Sequence, residues 1–582
     1  MSWRDLHCGE LRSGDIGRRV TVAGWVDTRR DHGGLVFIDL RDHTGKLQLV
    51  VNPERAAEPE AVAREIRNEF VIQAEGPVVA RAPEAVNPNL PTGEVEIQVE
   101  RLTILSRSTP LPFQLDDDNV DEPLRLRYRW LDLRTQRMQS NLRLSHTVIA
   151  AIRRTMDELD FVDVWTPSMT RGTPEGARDF LTPVRLQPGK FFALAQSPQL
   201  FKQLCMVGGL DRYYQIATCW RDEDLRADRQ FEFRQLDLEL AFAEREDVLE
   251  VMEAAVVSAF EALGRDAPAR PFPRLTYDDA LMRFGTDKPD LRFGVEIQDA
   301  TDVTRGSEFG VFANAACVRF VVAPKAYSRS ELARLEEVAK EWGAQGLAYI
   351  VVDESGEVRS PIAKFLSEGE LAAFEAPPGS TVLFGAGEAE SVARVLGGLR
   401  LHLGRELDLM ETGAQLFHWV TDFPLFERED DGRWTFMHHA FTAPVTGHEE
   451  WDESEPDGIQ GQHYDLIWNG WELGSGSIRI HDVALQQKVF RTMGMSEEEA
   501  HSKFGFLLEA LAMGAPPHGG FAMGIDRFVA RMAGEPDIRQ VIAFPKVASG
   551  SDPLTGAPTA YPDDVLRELG IVALPQEDSS PG

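Results

Sequence analysis

Between Tyr213 and Leu240, two runs of strand-forming residues flank the charged connection Asp224-Leu-Arg-Ala-Asp-Arg-Gln230, a pattern that predicts an antiparallel hairpin with a long loop. Side chains alternate across such a strand. Phe231, Phe233, Gln235, Asp237 and Glu239 therefore share one face of the second strand, while Leu236, Leu238 and Leu240 share the other and take the core side. In the first strand Cys219, Arg221 and Glu223 fall on one face, so the hairpin presents an Arg, carboxylates, an amide and an aromatic ring together. A solvated sheet face would also be charged, but water is a poor partner for two phenylalanine rings set among those charges.

The chain around this hairpin, 582 residues, is too long for one core and calls for three or four domains at about 150 residues each. No apolar run of about 18 residues exists to span a bilayer, and the N-terminal Met1-Ser-Trp-Arg-Asp-Leu-His7 carries charge where a secretory signal needs an apolar stretch. The expectation is a cytoplasmic protein without a membrane segment. Cys8, Cys205, Cys219 and Cys317 lie far apart with no C-x-x-C pair, which indicates neither a zinc site nor a disulfide framework. The formal net charge of −33 repels polyanions at long range. That charge is uneven, however: Arg18, Arg19, Arg29, Arg30, Arg41 and Lys46 make the first fifty or so residues locally basic, so a nucleic acid can dock there.

Period-two alternation in Val20-Thr-Val-Ala-Gly-Trp25-Val and Leu35-Val-Phe-Ile-Asp-Leu-Arg41, a helix-like 57–67 and a strand pair near 70–81 and 94–105 suit a small five-stranded barrel of the oligonucleotide-binding kind over 1–107. The Pro-bearing 108–135 reads as a hinge. A larger domain then opens on an amphipathic helix with Leu144, Val148, Ile149, Ile152 and Met156 at helical spacing. It occupies 136–286 and returns at 416–556, interrupted by an Ala/Gly/Val-rich inserted α/β domain at 287–415. An extension over 557–582 ends in a Gln576–Gly582 tail expected to be mobile. The fold class is α+β multidomain.

Three further clusters carry chemistry. In Gln196-Ser-Pro-Gln-Leu-Phe-Lys202, Ser197 is placed as an N-cap and Pro198 at the first helical position, so Gln199 and Lys202 sit one turn apart on one face. Lys202 in a first helical turn opposes the helix dipole, and something anionic should compensate it. Gly519-Gly-Phe-Ala-Met-Gly-Ile-Asp-Arg527 sets glycines, which let a backbone approach a ligand, beside a cation at a helix start, where a phosphate could bridge it and the free N–H groups. Tyr464-Asp465 through Glu472-Leu-Gly-Ser-Gly-Ser-Ile-Arg479 offers two carboxylates, hard oxygen donors of the sort that suit magnesium on a nucleotide, although acidic surface pairs are common without a metal. Neither a G-x-x-x-x-G-K-[ST] phosphate loop nor a G-x-G-x-x-G turn occurs, so any ATP is held by another architecture.

Together these segments resemble the three signature motifs of class II aminoacyl-tRNA synthetases, in order: Phe161-Val-Asp-Val-Trp-Thr-Pro167 the first, Arg221 to Glu239 the second, and Gly524-Ile-Asp-Arg527 the third. Thr173-Pro-Glu-Gly-Ala-Arg-Asp179, Gln196 to Lys202 and Asp287-Lys-Pro-Asp-Leu-Arg292 are similar to the bacterial aspartyl branch, which carries an OB-fold anticodon barrel, an antiparallel-sheet catalytic domain flanked by helices and an inserted GAD-like domain. The resemblance implies ATP and Mg2+, L-aspartate and tRNA(Asp) as partners, and a homodimer through the first motif. It assigns ATP to Arg221, Asp222, Glu223, Gln230, Phe233, Glu472, Gly524, Ile525, Asp526 and Arg527, with Arg221 and Arg527 neutralising phosphates, and magnesium to Asp465 and Glu472. Aspartate falls to Glu175, Ser197, Gln199, Lys202, Arg221, Asp237, His438 and Arg479, with His439 structural. The anticodon falls to Arg30, Phe37, Gln48 and Glu96, where stacking on Phe37 contributes roughly 1–3 kcal/mol.

Four departures from the family pattern stand out: Phe231 for Pro, Arg234 for Thr, Ser475 for Gly and Ala440 for Pro. Arg234 alternates onto the leucine face with nothing in the sequence to explain it. His32 and Glu84 occupy positions tied to tRNA discrimination; enzymes restricted to the aspartate tRNA usually have Leu at the first, and His there implies that tRNA(Asn) is charged as well. The competing readings are a strictly tRNA(Asp)-specific enzyme, an asparagine or lysine sister enzyme, a synthetase-like asparagine synthetase, and a non-catalytic tRNA-binding regulator.

Overall fold

The computed structural model describes residues 3–55, 57–117, 119–172, 176–429 and 431–574. One compact unit runs to Arg143 and includes Ala543–Val547 and Ser551–Pro558; the other holds Leu144–Ile542, Ala548–Gly550 and the residues from Thr559.

In the first unit the strands Arg19–His32, Leu35–Asp42, Gly45–Val51, Val71–Ala80 and Val95–Gln98 close into a barrel, because the long first strand pairs both with the second and with the fourth. Alternation puts Val20, Val22, Ile38, Leu40, Leu47, Leu49, Ile72 and Ile97 inside. The expected strand at 94–105 divides in two, Val95–Gln98 closing the barrel and Arg101–Ser106 adding to Val71–Ala80. The helix Ala57–Glu65 stands between third and fourth strands, as its position in the sequence predicts. The segment read as a hinge holds two short helices, Glu122–Arg127 and Arg129–Asp132; Arg129 is buried, paired with Asp132 and donating to the Ala543 carbonyl.

The second unit is built on an eight-stranded sheet in the order Arg274–Thr276, Phe417–Thr421, His463–Trp468, Trp471–Ile478, His518–Gly524, Glu232–Ala241, Arg212–Trp220, Val162–Asp163, antiparallel except at its two edges. The predicted hairpin forms, with Gln215 opposite Asp237 and Cys219 opposite Phe233. Leu236, Leu238 and Leu240 face a core shared with Val148, Ile152 and Met156 of the helix Gln136–Glu158, Val248 and Met252 of Arg245–Ala262, and Phe528 of Ile525–Ala533. Helices therefore cover one face of the sheet, and the polar face of the hairpin is left for the site.

Between Gln298 and Glu406 lies the insertion, a five-stranded sheet in which every pair is antiparallel, packed against the helices Arg329–Glu341 and Ala389–Glu406. The tail from residue 575 falls outside the described residues. No described helix is long and apolar enough to cross a membrane.

Candidate active site

A cavity of about 750 Å³ opens over the polar face of the sheet, and the separate sequence clusters meet around it. Its floor is ionic. Lys202, on the helix Gln199–Val207, is 1 % exposed and donates to Asp237 Oδ1 at 2.5 Å, with Glu239 Oε2 at 3.2 Å. Arg479 is equally buried; its Nε and Nη2 reach the two oxygens of Glu239 at 2.8 and 3.2 Å, and Nη1 donates to Ser477 Oγ at 2.7 Å. Two cations and two carboxylates thus lock one another in place, so that none of the four stands unpaired, where a lone buried charge would cost several kcal/mol. Burial alone would raise Glu239, but Arg479 and Lys202 bring its carboxyl below the usual range. Burial pushes Asp237 up, against the pull of Lys202.

The anion that Lys202 requires is therefore the protein's own. Glu239, given no role from sequence, is the residue shared by both cations, and its signal was Gly520: a Cβ there would sit 1.8 Å from Glu239 Oε2 and 2.2 Å from the Leu238 carbonyl oxygen. The glycine makes room for a carboxylate rather than for a ligand. Two buried atoms beside the floor have no hydrogen-bond partner, Asp237 Oδ2 and the Gln199 amide nitrogen. Ser197 lines the cavity, and its hydroxyl accepts from the Gln199 backbone N–H at 3.2 Å, the helix starting one residue later than expected. Glu175 lies outside the described residues.

Above the floor, Arg221 lies over the Phe233 ring, 5.1 Å from its centroid, and Glu223 pairs with Arg229 at 3.1 Å. Gln230 and Gly524 also line this end. Arg527, at the third position of the helix Ile525–Ala533, donates to the Glu472 carbonyl at 3.0 Å and to Asp228 at 3.1 Å, which ties it to the hairpin loop. Two expected nucleotide contacts, Asp222 and Ile525, lie outside the cavity lining, and a third, Asp526, lines it with its carboxylate already engaged. Asp222 is exposed, its backbone bridged to Arg178; Ile525 is a core residue; and Asp526, though at the cavity edge, accepts the Arg234 amide at 2.8 Å and its Nε at 3.0 Å. That pair explains the charge on the leucine face: Arg234 fastens the hairpin to the helix carrying Arg527. Phe231 precedes the strand and leaves the cavity, packing edge-on against Phe180 at 5.3 Å. Ser475 lines the cavity and donates to Glu472 at 3.4 Å, and Ala440 is buried, its carbonyl accepting from Gln486.

Asp465 is 5 % exposed and bonded to His463 Nε2 at 2.7 Å. Its charge, together with burial, raises the Glu472 carboxyl, while Lys288 and Arg527 oppose the shift. Lys288, which the sequence placed only within a family-like segment, lines the cavity 3.6 Å from Glu472. His438 stacks on His463 at 4.0 Å, and burial followed by the neighbouring cationic and imidazole groups holds His438 and His439 well below the ordinary imidazole range, so both are neutral. His439 Nε2 meets Arg479, and both histidines line the cavity.

On the barrel, alternation puts Arg30, Phe37, Gln48 and Glu96 on the face turned away from its apolar interior: Arg30 is opposite Phe37, and the buried Gln48 donates to Glu96 at 2.8 Å. His32 stands exposed beside the left-handed Gly33 and Gly34, and Glu84 is exposed in the turn Pro83–Ala85. Among the described residues one His/Asp trio, His7, Asp42 and His43, has donor atoms within 4.8 Å of one another. Asp42 already accepts from Cys8 N, Thr44 N and Thr44 Oγ1, so the trio reads as a capped turn.

An antiparallel sheet bearing an arginine-led hairpin, a buried cation pair and a second arginine at a helix start defines a class II tRNA synthetase. The family model for class II tRNA synthetases of the D, K and N group matches residues 121–548, and that for OB-fold nucleic acid binding domains matches 20–105. The chain belongs to this family. It is 49 % identical to the aspartate–tRNA ligase of Geobacillus kaustophilus, over 99 % of this chain and 100 % of that one. It is 50 % identical to the aspartate–tRNA(Asp/Asn) ligase of Symbiobacterium thermophilum, over 98 % and 99 %. Among solved structures, asparaginyl-tRNA synthetase from Pyrococcus horikoshii with asparaginyl-adenylate superposes with a TM-score of 0.59 at 20 % identity, covering 93 % of this chain and 97 % of that one; the likeness is of fold.

Proposed function

We propose that this chain is an aspartate–tRNA ligase, which joins L-aspartate to tRNA(Asp) in the cytoplasm through an aspartyl-adenylate formed from ATP. One observation carries the substrate: Lys202 and Arg479, both 1 % exposed, are held at the cavity floor by Asp237 and Glu239. Their remaining N–H groups meet the side-chain carboxylate of aspartate, while asparagine would set its own N–H against a donor. The unpartnered Asp237 Oδ2 suits the substrate ammonium and the Gln199 side-chain amide nitrogen suits a carboxylate oxygen, with Ser197 lining the same cavity.

Phe233 stacks on adenine, with Gln230 and Glu223 at the base; Arg221 neutralises the α-phosphate and Arg527 the γ-phosphate. An oxygen of the aspartate α-carboxylate attacks the α-phosphorus, the bond to the bridging oxygen breaks, and pyrophosphate leaves with that electron pair. The terminal ribose hydroxyl of tRNA then attacks the aspartyl carbonyl, giving up its proton as AMP departs. No side chain forms a covalent bond; catalysis is positioning and neutralisation of charge. His438, neutral and stacked on His463, closes the aspartate end. Asp465 and Glu472 fit Mg2+: two carboxylates close enough for one to raise the other form a hard oxygen donor set, and the ion would add positive charge against the phosphates.

The exposed first motif supports a homodimer, with Trp165 83 % and Val162 46 % exposed at the sheet edge. His32, and the naming of relatives for both tRNAs, support charging of tRNA(Asn) too. Aminoacylation of purified transcripts with labelled aspartate tests the reading: both tRNA(Asp) and tRNA(Asn) acquire label, and His32→Leu lowers the second about tenfold relative to the first. Label on neither tRNA overturns the function; background label on tRNA(Asn) alone removes the relaxed specificity.

A further inference from the structure

The segment that joins the catalytic sheet to the insertion is built into the site. Its Lys288 ammonium stands 3.6 Å from Asp287 Oδ2 and 3.6 Å from Glu472 Oε2. Two residues on, Asp290 backs against the turn between Asp465 and Glu472, so closely that a Cβ on Gly470 would lie 3.1 Å from its own. Arg292 fixes Asp290 by Nε to Oδ1 at 3.0 Å and Nη2 to Oδ2 at 2.6 Å.

The insertion grips this segment from the other side. Arg400, on the helix Ala389–Glu406, is buried and donates from Nη2 to the carbonyls of Asp290, Phe293 and Gly294 at 2.9, 3.0 and 3.2 Å, with its guanidinium 4.1 Å from the centroid of Phe293. The helix itself touches the joining chain backbone to backbone: at Gly285, whose φ is 70°, a Cβ would meet the Ala393 carbonyl oxygen at 2.2 Å. Any larger residue would force the two apart.

We propose that Lys288 is a positioning residue of the nucleotide site, its ammonium standing in for a divalent cation between Asp287 and Glu472 until the ion arrives with ATP, and that the inserted domain sets its place through Arg400. The inference rests on the reading of Asp465 and Glu472 as magnesium ligands. Carboxylates set close together repel one another when no cation lies between them, and a tethered ammonium 3.6 Å from each of Asp287 and Glu472 relieves that repulsion while remaining easy to displace.

Titration of the full-length protein with Mn2+, followed by the electron paramagnetic resonance of the free ion, tests it without turnover. Without nucleotide, Lys288→Gln should bind Mn2+ about tenfold more tightly than wild type, because the competing charge is gone. Arg400→Met, which frees the segment, should shift affinity the same way by about threefold, and Lys288→Gln alone decides the matter if Arg400→Met does not fold. Unchanged or weaker nucleotide-free binding in Lys288→Gln overturns the stand-in. If wild type binds Mn2+ with a non-hydrolysable ATP analogue and Glu472→Gln abolishes it, that failure is confined to Lys288. If wild type binds no Mn2+ even with the analogue, the metal reading falls and this inference with it.

Discussion

At the residue scale, Glu239 and Gly520 form one device. The carboxylate braces both Lys202 and Arg479, and it fits only because the facing residue on the next strand lacks a side chain. Gly520→Ala should therefore displace Glu239, costing about 1–3 kcal/mol of stability and more than about tenfold in aspartate activation. Wild-type activation by this variant would show that Glu239 does not set the floor. His418 tests burial in isolation: its ring is fully buried, neither nitrogen has a hydrogen-bond partner, and burial lowers its pKa to about 4. Below its ordinary pKa near 6.5 the unfolded chain takes up a proton that the native state refuses. Stability from the neutral ring is thus fully present above about pH 6.5 and is lost as pH falls towards 4. Urea midpoints should show that His418→Gln removes about 2 kcal/mol of the loss between pH 6.5 and 5. An unchanged acid slope would contradict this.

At the element scale, the hairpin was the most legible part of the chain, because period-two alternation assigns faces without further information. It sent the leucines to the core and Gln235, Asp237 and Glu239 to the site, and both assignments stand in the structure. What alternation could not supply was partnership across distant segments. Arg234 looked misplaced until Asp526, on a helix nearly three hundred residues later, was seen to accept from its amide and its guanidinium. For the same reason Lys288 was invisible as a site residue, since the cavity carboxylate it meets, Glu472, lies on a strand far along the chain. Phe231 broke the pattern because the strand starts only at Glu232. As the Arg234 side chain is about one third exposed and Asp526 keeps a backbone donor, Arg234→Thr should cost only about 1 kcal/mol, read as a urea midpoint. A loss of several kcal/mol would mean that the pair holds more than the hairpin to its helix.

For the whole molecule, composition misleads where distribution informs. A net charge of −33 argues against nucleic acid, yet the barrel gathers Arg30, Phe37 and Gln48 on the face turned away from its apolar interior, and the carboxylates that dominate the total include Asp237 and Glu239, buried against cations. The central claim is that the buried Lys202–Arg479 floor reads the side-chain carboxylate of aspartate. ATP–pyrophosphate exchange with each amino acid in turn measures that most directly. Aspartate alone should support exchange, and Arg479→Lys, which cannot keep the two-pronged contact with Glu239, should reduce kcat/KM for aspartate about a hundredfold. Exchange supported by asparagine or lysine in place of aspartate, or an Arg479→Lys enzyme as active as wild type, would contradict the account.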